Sequence, residues 1–189
     1  MKKIILASGS PRRKELLQMA GIDFEVKIIP TEETYPAKLS PSEITIHIAR
    51  GKAFAIENEI SANGDAIIIA ADTIVVLDNE IIGKPKDRED AIKMLQKLSG
   101  RTHEVITGVV ILSTTEISFS TKTEVTFLDL TLEQIIMYID QYQPYDKAGA
   151  YAIQEWIGLV GIKSINGDYY NVVGLPVSRL LKELEQINK

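Results

Sequence analysis

The segment Ser8-Gly9-Ser10-Pro11-Arg12-Arg13 places hydroxyls, a glycine and two guanidiniums where an apolar run turns into a helix. A helix N-terminus presents unpaired N–H groups and the positive end of the dipole, and glycine lets backbone approach a ligand. The hydroxyls and guanidiniums add charge-assisted hydrogen bonds. Two arginines in a first turn oppose the dipole by roughly 0.3–1 kcal/mol each at exposed sites, a conflict that a bound phosphate would remove. The segment is neither a P-loop nor a GxGxxG fingerprint, and a capped helix with solvated basic residues explains it equally well.

Asp72 is the sharper anomaly. It interrupts the apolar run Ile67 to Leu77, where a buried carboxylate costs several kcal/mol unless it is paired, hydrogen-bonded or metal-bound. A general base or a metal ligand would use it; a strand bulge or a structural ion pair would also account for it. Glu32 and Glu33 could supply a second carboxylate or form a solvated loop, and Asp146 beside Lys147 is ambiguous in the same way. Lys52, in Ala49-Arg50-Gly51-Lys52-Ala53, and Lys84, between Gly83 and Pro85, are either aimed cations or surface lysines. Within Lys147-Ala148-Gly149-Ala150-Tyr151-Ala152-Ile153-Gln154 the small residues permit close backbone approach. Gln154 carries donors and an acceptor that suit a base edge or a packed turn. His47 and His103 read as satisfied polar contacts.

These residues need elements to hold them. Lys3 to Ser8 reads as a buried strand, followed by a helix from Pro11 to about Ala20 with Ser10 as N-cap and Gly21 as stop. Phe24 to Ile29 reads as extended. Ser40-Pro41-Ser42-Glu43 opens a helix to about Ile60 with a capping box, and Asn63-Gly64-Asp65 breaks the chain. Ile67 to Leu77 is β-branched and apolar on both faces, the signature of a central strand. Asp78-Asn79 turns it into a short return strand, Glu80 to Ile82. Asp87 caps a helix from Arg88 to Leu98, stopped by Gly100. Two long strands follow, His103 to Leu112 and Ile117 to Leu128, then a helix from Thr131, with Gln134 completing its cap, to about Tyr142. Gly161 to Ile165 and Tyr169 to Val173 flank Asn166-Gly167 as a predicted hairpin, and Gly174-Leu175-Pro176 opens a last helix to about Ile187. Strands mixed with helices predict one α/β or α+β domain over 1–189 with a mixed sheet.

Composition narrows the chemistry. The chain has 189 residues, 45% hydrophobic and 25% charged, which suits a folded globular protein. No cysteine is present, which removes disulfides, thiolate metal sites and a cysteine nucleophile, and two histidines make a multi-histidine zinc site unexpected. A net charge of -5 provides no extended basic surface for nucleic acid. No segment approaches the roughly 20 apolar residues of a membrane span, and no signal peptide is recognisable. A cytoplasmic protein without nucleic-acid or membrane partners is expected. Apolar hairpins at the surface are compatible with a homodimer.

Taken together, Ser8-Gly9-Ser10-Pro11-Arg12-Arg13, Ala71-Asp72-Thr73, Gly83-Lys84-Pro85, Asp146-Lys147-Ala148-Gly149-Ala150-Tyr151 with Ile153-Gln154, and Val173-Gly174-Leu175-Pro176 closely resemble the Maf-like nucleotide pyrophosphatase family across essentially the whole chain. The resemblance implies an elongated mixed-sheet α/β fold related to inosine triphosphate pyrophosphatases, with two lobes around a central cleft. It implies hydrolysis of a nucleoside triphosphate substrate to monophosphate and pyrophosphate with a divalent cation, Mg2+ or Mn2+. By position, Asp72 matches the family's proton acceptor, and Ser8, Arg13, Glu33, Lys52 and Lys84 match polar, metal and phosphate-handling positions. Glu33 and Asp72 are the expected metal ligands. Arg12, Thr73 and Gln154 match the residues that distinguish the dTTP/UTP branch from the 7-methyl-GTP branch. The implied role is house-cleaning removal of noncanonical nucleotides, including modified uridine triphosphates, with a further link to inhibition of septum formation. A nucleotide-binding regulator acting through protein contacts during division is the alternative, and a phosphatase or kinase acting on another phosphorylated metabolite is a third reading. Glu155-Trp156 departs from the family, which often has glycine after the glutamine.

Overall fold

The computed structural model describes residues 2–60 and 66–187; the Asn63-Gly64-Asp65 break lies outside the described residues. In chain order the elements are β1 (Lys3–Leu6), α1 (Pro11–Met19), β2 (Glu25–Val26), α2 (Pro41–Ile60), β3 (Ala66–Leu77), β4 (Glu80–Ile82) and α3 (Arg88–Leu98). Then follow β5 (Thr102–Leu112), β6 (Glu116–Phe127), α4 (Leu132–Tyr142), a 3-10 turn (Ala148–Ala150), α5 (Trp156–Gly161), β7 (Ile162–Asn166), α6 (Tyr169–Val173) and α7 (Val177–Ile187). The seven-stranded sheet has the order β2-β1-β3-β5-β6-β7, with β4 paired to β3. β1 is parallel to β2 and β3, whereas β3–β4 and β6–β7 are antiparallel. The expected mixed α/β sheet is therefore present.

The chain divides into two compact units. Met1–Asp72, Thr107–Thr121 and Gly174–Lys189 form the first, and Thr73–Ile106 with Lys122–Val173 the second. In the first, the helical spacing of Ile44, Ile48, Ala49, Ala53 and Ile56 gives α2 one buried face. Ala49, Ala53 and Ile56 pack with Ile5, Ile68, Ala70 and Val110. Ser40 and Glu43 close the start of α2 reciprocally: the Ser40 N–H donates to Glu43 Oε2 at 2.8 Å, and the Glu43 N–H to Ser40 Oγ at 3.4 Å. Gly108 allows the helix to lie against β5, because a Cβ there would sit 2.5 Å from the Thr45 carbonyl carbon.

In the second unit, Leu95 and Leu98 of α3 and Tyr138 and Ile139 of α4 pack around Phe127, Tyr151 and Ile157. Asp87 caps α3 through the Asp90 N–H, and Thr131 with Gln134 forms a capping box on α4, both as the sequence predicts. Three expectations need correction. The Phe24 to Ile29 stretch forms a shorter strand than its length suggests: it pairs at Glu25–Val26, and the Lys27 N–H adds one bond to the Leu6 carbonyl at 3.1 Å before the partner chain turns into α1. The predicted Asn166-Gly167 hairpin does not form: β7 pairs with β6 instead, and Tyr169–Val173 is helical. Thr123 explains why. Its hydroxyl donates to the Asp168 carbonyl at 3.0 Å and accepts from Asp168 N–H at 3.1 Å, while Asn171 Nδ2 donates to Thr123 Oγ1 and to the Val105 carbonyl, each at 3.0 Å. These long-range bonds draw residues 168–171 into a turn of helix. The short helix α5 is the third difference, in a stretch where sequence propensity assigns no element.

Candidate functional site

In the first unit, β1 runs out into Ser8 and α1 starts three residues later, at Pro11, so Ser8 and Arg13 meet on the inner side of the first turn. Both are buried, at 7% and 8% exposure. Arg13 Nη1 donates to Ser8 Oγ at 3.0 Å, and Arg13 Nε donates to the Gly174 carbonyl at 2.8 Å. Ser10 has the extended conformation of an N-cap, yet its side chain makes no hydrogen bond to the first turn. The Ser10 N–H instead donates to Ser8 Oγ at 3.3 Å. Ser8 Oγ thus gathers both the Ser10 N–H and the Arg13 guanidinium. Arg12 is half-buried beside it.

Asp72 lies near the middle of β3 at 9% exposure, so the strand keeps its buried run through the carboxylate. Lys52 resolves the anomaly. Its ammonium, carried in from α2, donates to Asp72 Oδ1 at 2.8 Å and sits 2.8 Å from Glu33 Oε1. A lysine has three N–H bonds, so two carboxylates leave one for a further acceptor. Burial pulls the Arg13 pKa below its ordinary value; Asp72 opposes that pull, Arg12 adds to it and Glu33 opposes it. Arg12, Arg13, Glu33 and Asp72 therefore share one electrostatic neighbourhood, with Lys52 bonded into it. Of the sequence candidates, Ser8, Arg12, Arg13, Glu33, Lys52 and Asp72 come together here. Glu32 is exposed on the loop.

Thr73, Lys84 and Gln154 belong to the second unit. Thr73 follows Asp72 on β3 and is half-buried. Lys84 is exposed, and the turn beneath it is tied down where the Gly83 carbonyl accepts from Gly149 N–H at 3.0 Å. Gly83 has open space around it, so it is Gly149, at φ +70° and where a Cβ would lie 3.1 Å from a Val75 methyl, that requires glycine. Gln154 is the exposed residue of a tight turn closed by Glu155 N–H donating to the Ala152 carbonyl at 3.1 Å. Asp146 is paired with Lys147 at 2.8 Å. His103 is buried against Tyr151, and His47 is exposed on α2 rather than held in a polar contact. The sequence reading missed the part played by the Gly174 carbonyl, 161 residues from Arg13; only its place in the Val173-Gly174-Leu175-Pro176 motif marked it.

Among the described residues no group of three or more His, Asp or Glu side chains could cage a metal. Glu33 and Asp72, held 2.8 Å either side of one ammonium, nevertheless provide hard oxygen donors of the kind Mg2+ takes from protein, one or two carboxylates with the remainder from phosphate and water. The donor set fits such an ion.

A family model described as Maf-like protein matches residues 3–187. The chain is 54% identical over 187 residues to the dTTP/UTP pyrophosphatase of Phocaeicola vulgatus, covering 98% of this chain and 96% of that one. It is 52% identical over 189 residues to the dTTP/UTP pyrophosphatase of Bacillus cereus, covering 100% and 91%. Among solved structures, the Ham1 protein of Staphylococcus aureus superposes with a TM-score of 0.56 at 17% identity over the whole of both chains, a likeness of fold alone.

Proposed function

The chain belongs to the Maf-like protein family, and from that premise we propose that it hydrolyses dTTP, UTP and modified uridine triphosphates to the nucleoside monophosphate and pyrophosphate. The observation that carries the reading is the Glu33–Lys52–Asp72 array beside the buried Arg13–Ser8 pair. Three cations and two carboxylates converge where a polyanion and an attacking water would both need handling. Arg13, Lys52 and the Ser8 hydroxyl bind phosphate oxygens. Asp72 accepts the proton of a water whose oxygen bonds to the α-phosphorus as the bridge to the β-phosphate breaks and pyrophosphate leaves. Lys52 donates to Asp72 and orients that carboxylate. Glu33 and Asp72 would hold Mg2+ or Mn2+, which when bound neutralises charge on the phosphate oxygens. By resemblance Lys84 contributes a further phosphate contact, and Arg12, Thr73 and Gln154 select the base. The setting is the cytoplasmic nucleotide pool, with the chain working as one functional domain.

The test is product identity. Incubation of UTP, dTTP, CTP, ATP and GTP with protein and Mg2+ or Mn2+ yields monophosphate plus pyrophosphate, with UTP and dTTP fastest. Diphosphate plus phosphate would place the reaction elsewhere, and tight binding without turnover would favour a regulator. Asp72→Asn lowers kcat by about a hundredfold or more; near wild-type turnover at saturating UTP and metal would remove Asp72 from its role.

A further inference from the structure

The turn carrying Gln154 is anchored at both ends by one atom. Ala152 N–H donates to Tyr138 Oη at 3.1 Å, and Tyr138 Oη in turn donates to Glu155 Oε2. Tyr138 is fully buried on α4, stacked on Tyr142 at 5.0 Å between ring centroids, so the anchor itself is fixed. The other Glu155 oxygen, Oε1, faces the Lys147 ammonium at 3.6 Å, and that ammonium donates to Asp146 at 2.8 Å. Glu155 occupies the N-cap position of α5, yet its side chain makes no capping hydrogen bond. Its carboxylate is turned back to the phenol instead. Beneath the turn, Gly158 admits the Ile153 carbonyl to a position only 1.7 Å from where a Cβ would lie. Ile153 is buried under the turn and Gln154 is the residue it exposes.

We propose that the Tyr138–Glu155 pair clamps this turn and that Glu155 is a positioning residue for the Gln154 amide. The inference rests on the reading of Gln154 as a selector of the base. An amide that distinguishes bases must offer its donor and acceptor at fixed positions, since a displaced hydrogen bond discriminates little. The Gln154 backbone sits between two residues tied to a single buried oxygen, so the phenol–carboxylate bond fixes where the amide is presented. Charge-assisted hydrogen bonds of this kind are short and strong, and Lys147, shared with Asp146, offsets part of the charge that the carboxylate brings in.

The test compares kcat and KM for UTP, dTTP, CTP and GTP in the wild type, Gln154→Ala, Glu155→Ala, Glu155→Gln and the Gln154→Ala/Glu155→Ala double variant. Glu155 is the residue to change because its side chain is 22% exposed, whereas Tyr138 is buried in the core. Glu155→Ala lowers the preference for UTP over GTP by about fivefold, the loss of one well-placed hydrogen bond, and does so mainly through KM. Glu155→Gln keeps an acceptor for Tyr138 and restores most of the preference. The double variant loses no more preference than Gln154→Ala alone, because both changes act through the same amide. An equal loss on all four nucleotides with unchanged KM overturns the clamp, as does additivity in the double variant. If Gln154→Ala shifts the preference while Glu155→Ala does not, the clamp is wrong and the base-reading role stands. If Gln154→Ala leaves the preference intact, the base-reading role is itself wrong and the clamp falls with it.

Discussion

His103 is 1% exposed, between Phe127 and Tyr151 with ring centroids at 5.2 and 5.4 Å. Its Nε2 is 2.7 Å from Tyr151 Oη, while its Nδ1 has no hydrogen-bond partner. A proton on both nitrogens would put a charge in the core with one N–H unanswered, and burial accordingly pushes the His103 pKa down from 6.5 to about 4. In the unfolded chain the ring titrates near its ordinary value of about 6.5. Between those values the unfolded state takes up a proton that the folded state refuses, so stability falls as pH drops through 6.5 and stops falling below about 4. At about 1.4 kcal/mol per pKa unit this costs roughly 3 kcal/mol over the window. His103→Gln keeps a polar atom for Tyr151 and removes the titration. Urea unfolding of both proteins at intervals from pH 7 to 4 is the assay. The variant is less stable at pH 7 by about 1–2 kcal/mol, because the ring contacts are lost, and the two curves converge or cross toward pH 4. Parallel curves across the window would refute the reasoning. So would a His103 ring resonance that titrates near 6.5 in the folded protein.

Three further outcomes follow from the geometry. Lys52→Met leaves the mostly buried Asp72 carboxylate without its ion pair, lowering stability by about 2 kcal/mol in chemical denaturation. Adding Asp72→Asn to it recovers part of that loss, so the two changes are not additive. Arg13→Lys cannot keep both the Gly174 carbonyl and Ser8 Oγ, and kcat/KM for UTP falls by about tenfold to a hundredfold, the worth of one hydrogen bond to a charged group. Gly108→Ala forces a Cβ against the Thr45 backbone, which no side-chain rotation can relieve, and costs about 1–3 kcal/mol, read as a lowered Tm with nucleotide preference unchanged.

The elements that sequence reading located carry their signal within a few residues. The Thr131–Gln134 box is a local exchange of two hydrogen bonds, and β3 is a run of β-branched residues buried on both faces. Asn166-Gly167 carries an equally strong local signal and is overridden. Gly167, at φ +130°, does turn the chain, but it turns it beneath Thr123, where a Cβ would lie 2.8 Å from Oγ1. A hairpin signal names the next segment in sequence as the partner strand; the β6 backbone from Glu124 to Phe127 is available and takes its place.

The same distinction governs the site. That Asp72 was anomalous could be seen from its neighbours in sequence, but not whether it was paired, because Lys52 lies 20 residues earlier on another element. The ion pair accounts for the buried Asp72, and the proposed role as proton acceptor is compatible with it, since Lys52 engages only one of the two carboxylate oxygens. With Lys52 also holding Glu33 from its exposed loop, the ammonium keeps two like charges within reach of each other, and it pairs the one of them, Asp72, that lies in a buried strand. A triphosphate oxygen that takes the third Lys52 N–H would leave both carboxylates in place, facing hard cations and water. The ion pair that stabilises Asp72 is then also the arrangement that brings the two acids together. An acidic chain, net charge -5, can in this way handle a polyanion by concentrating its cations locally rather than across its surface.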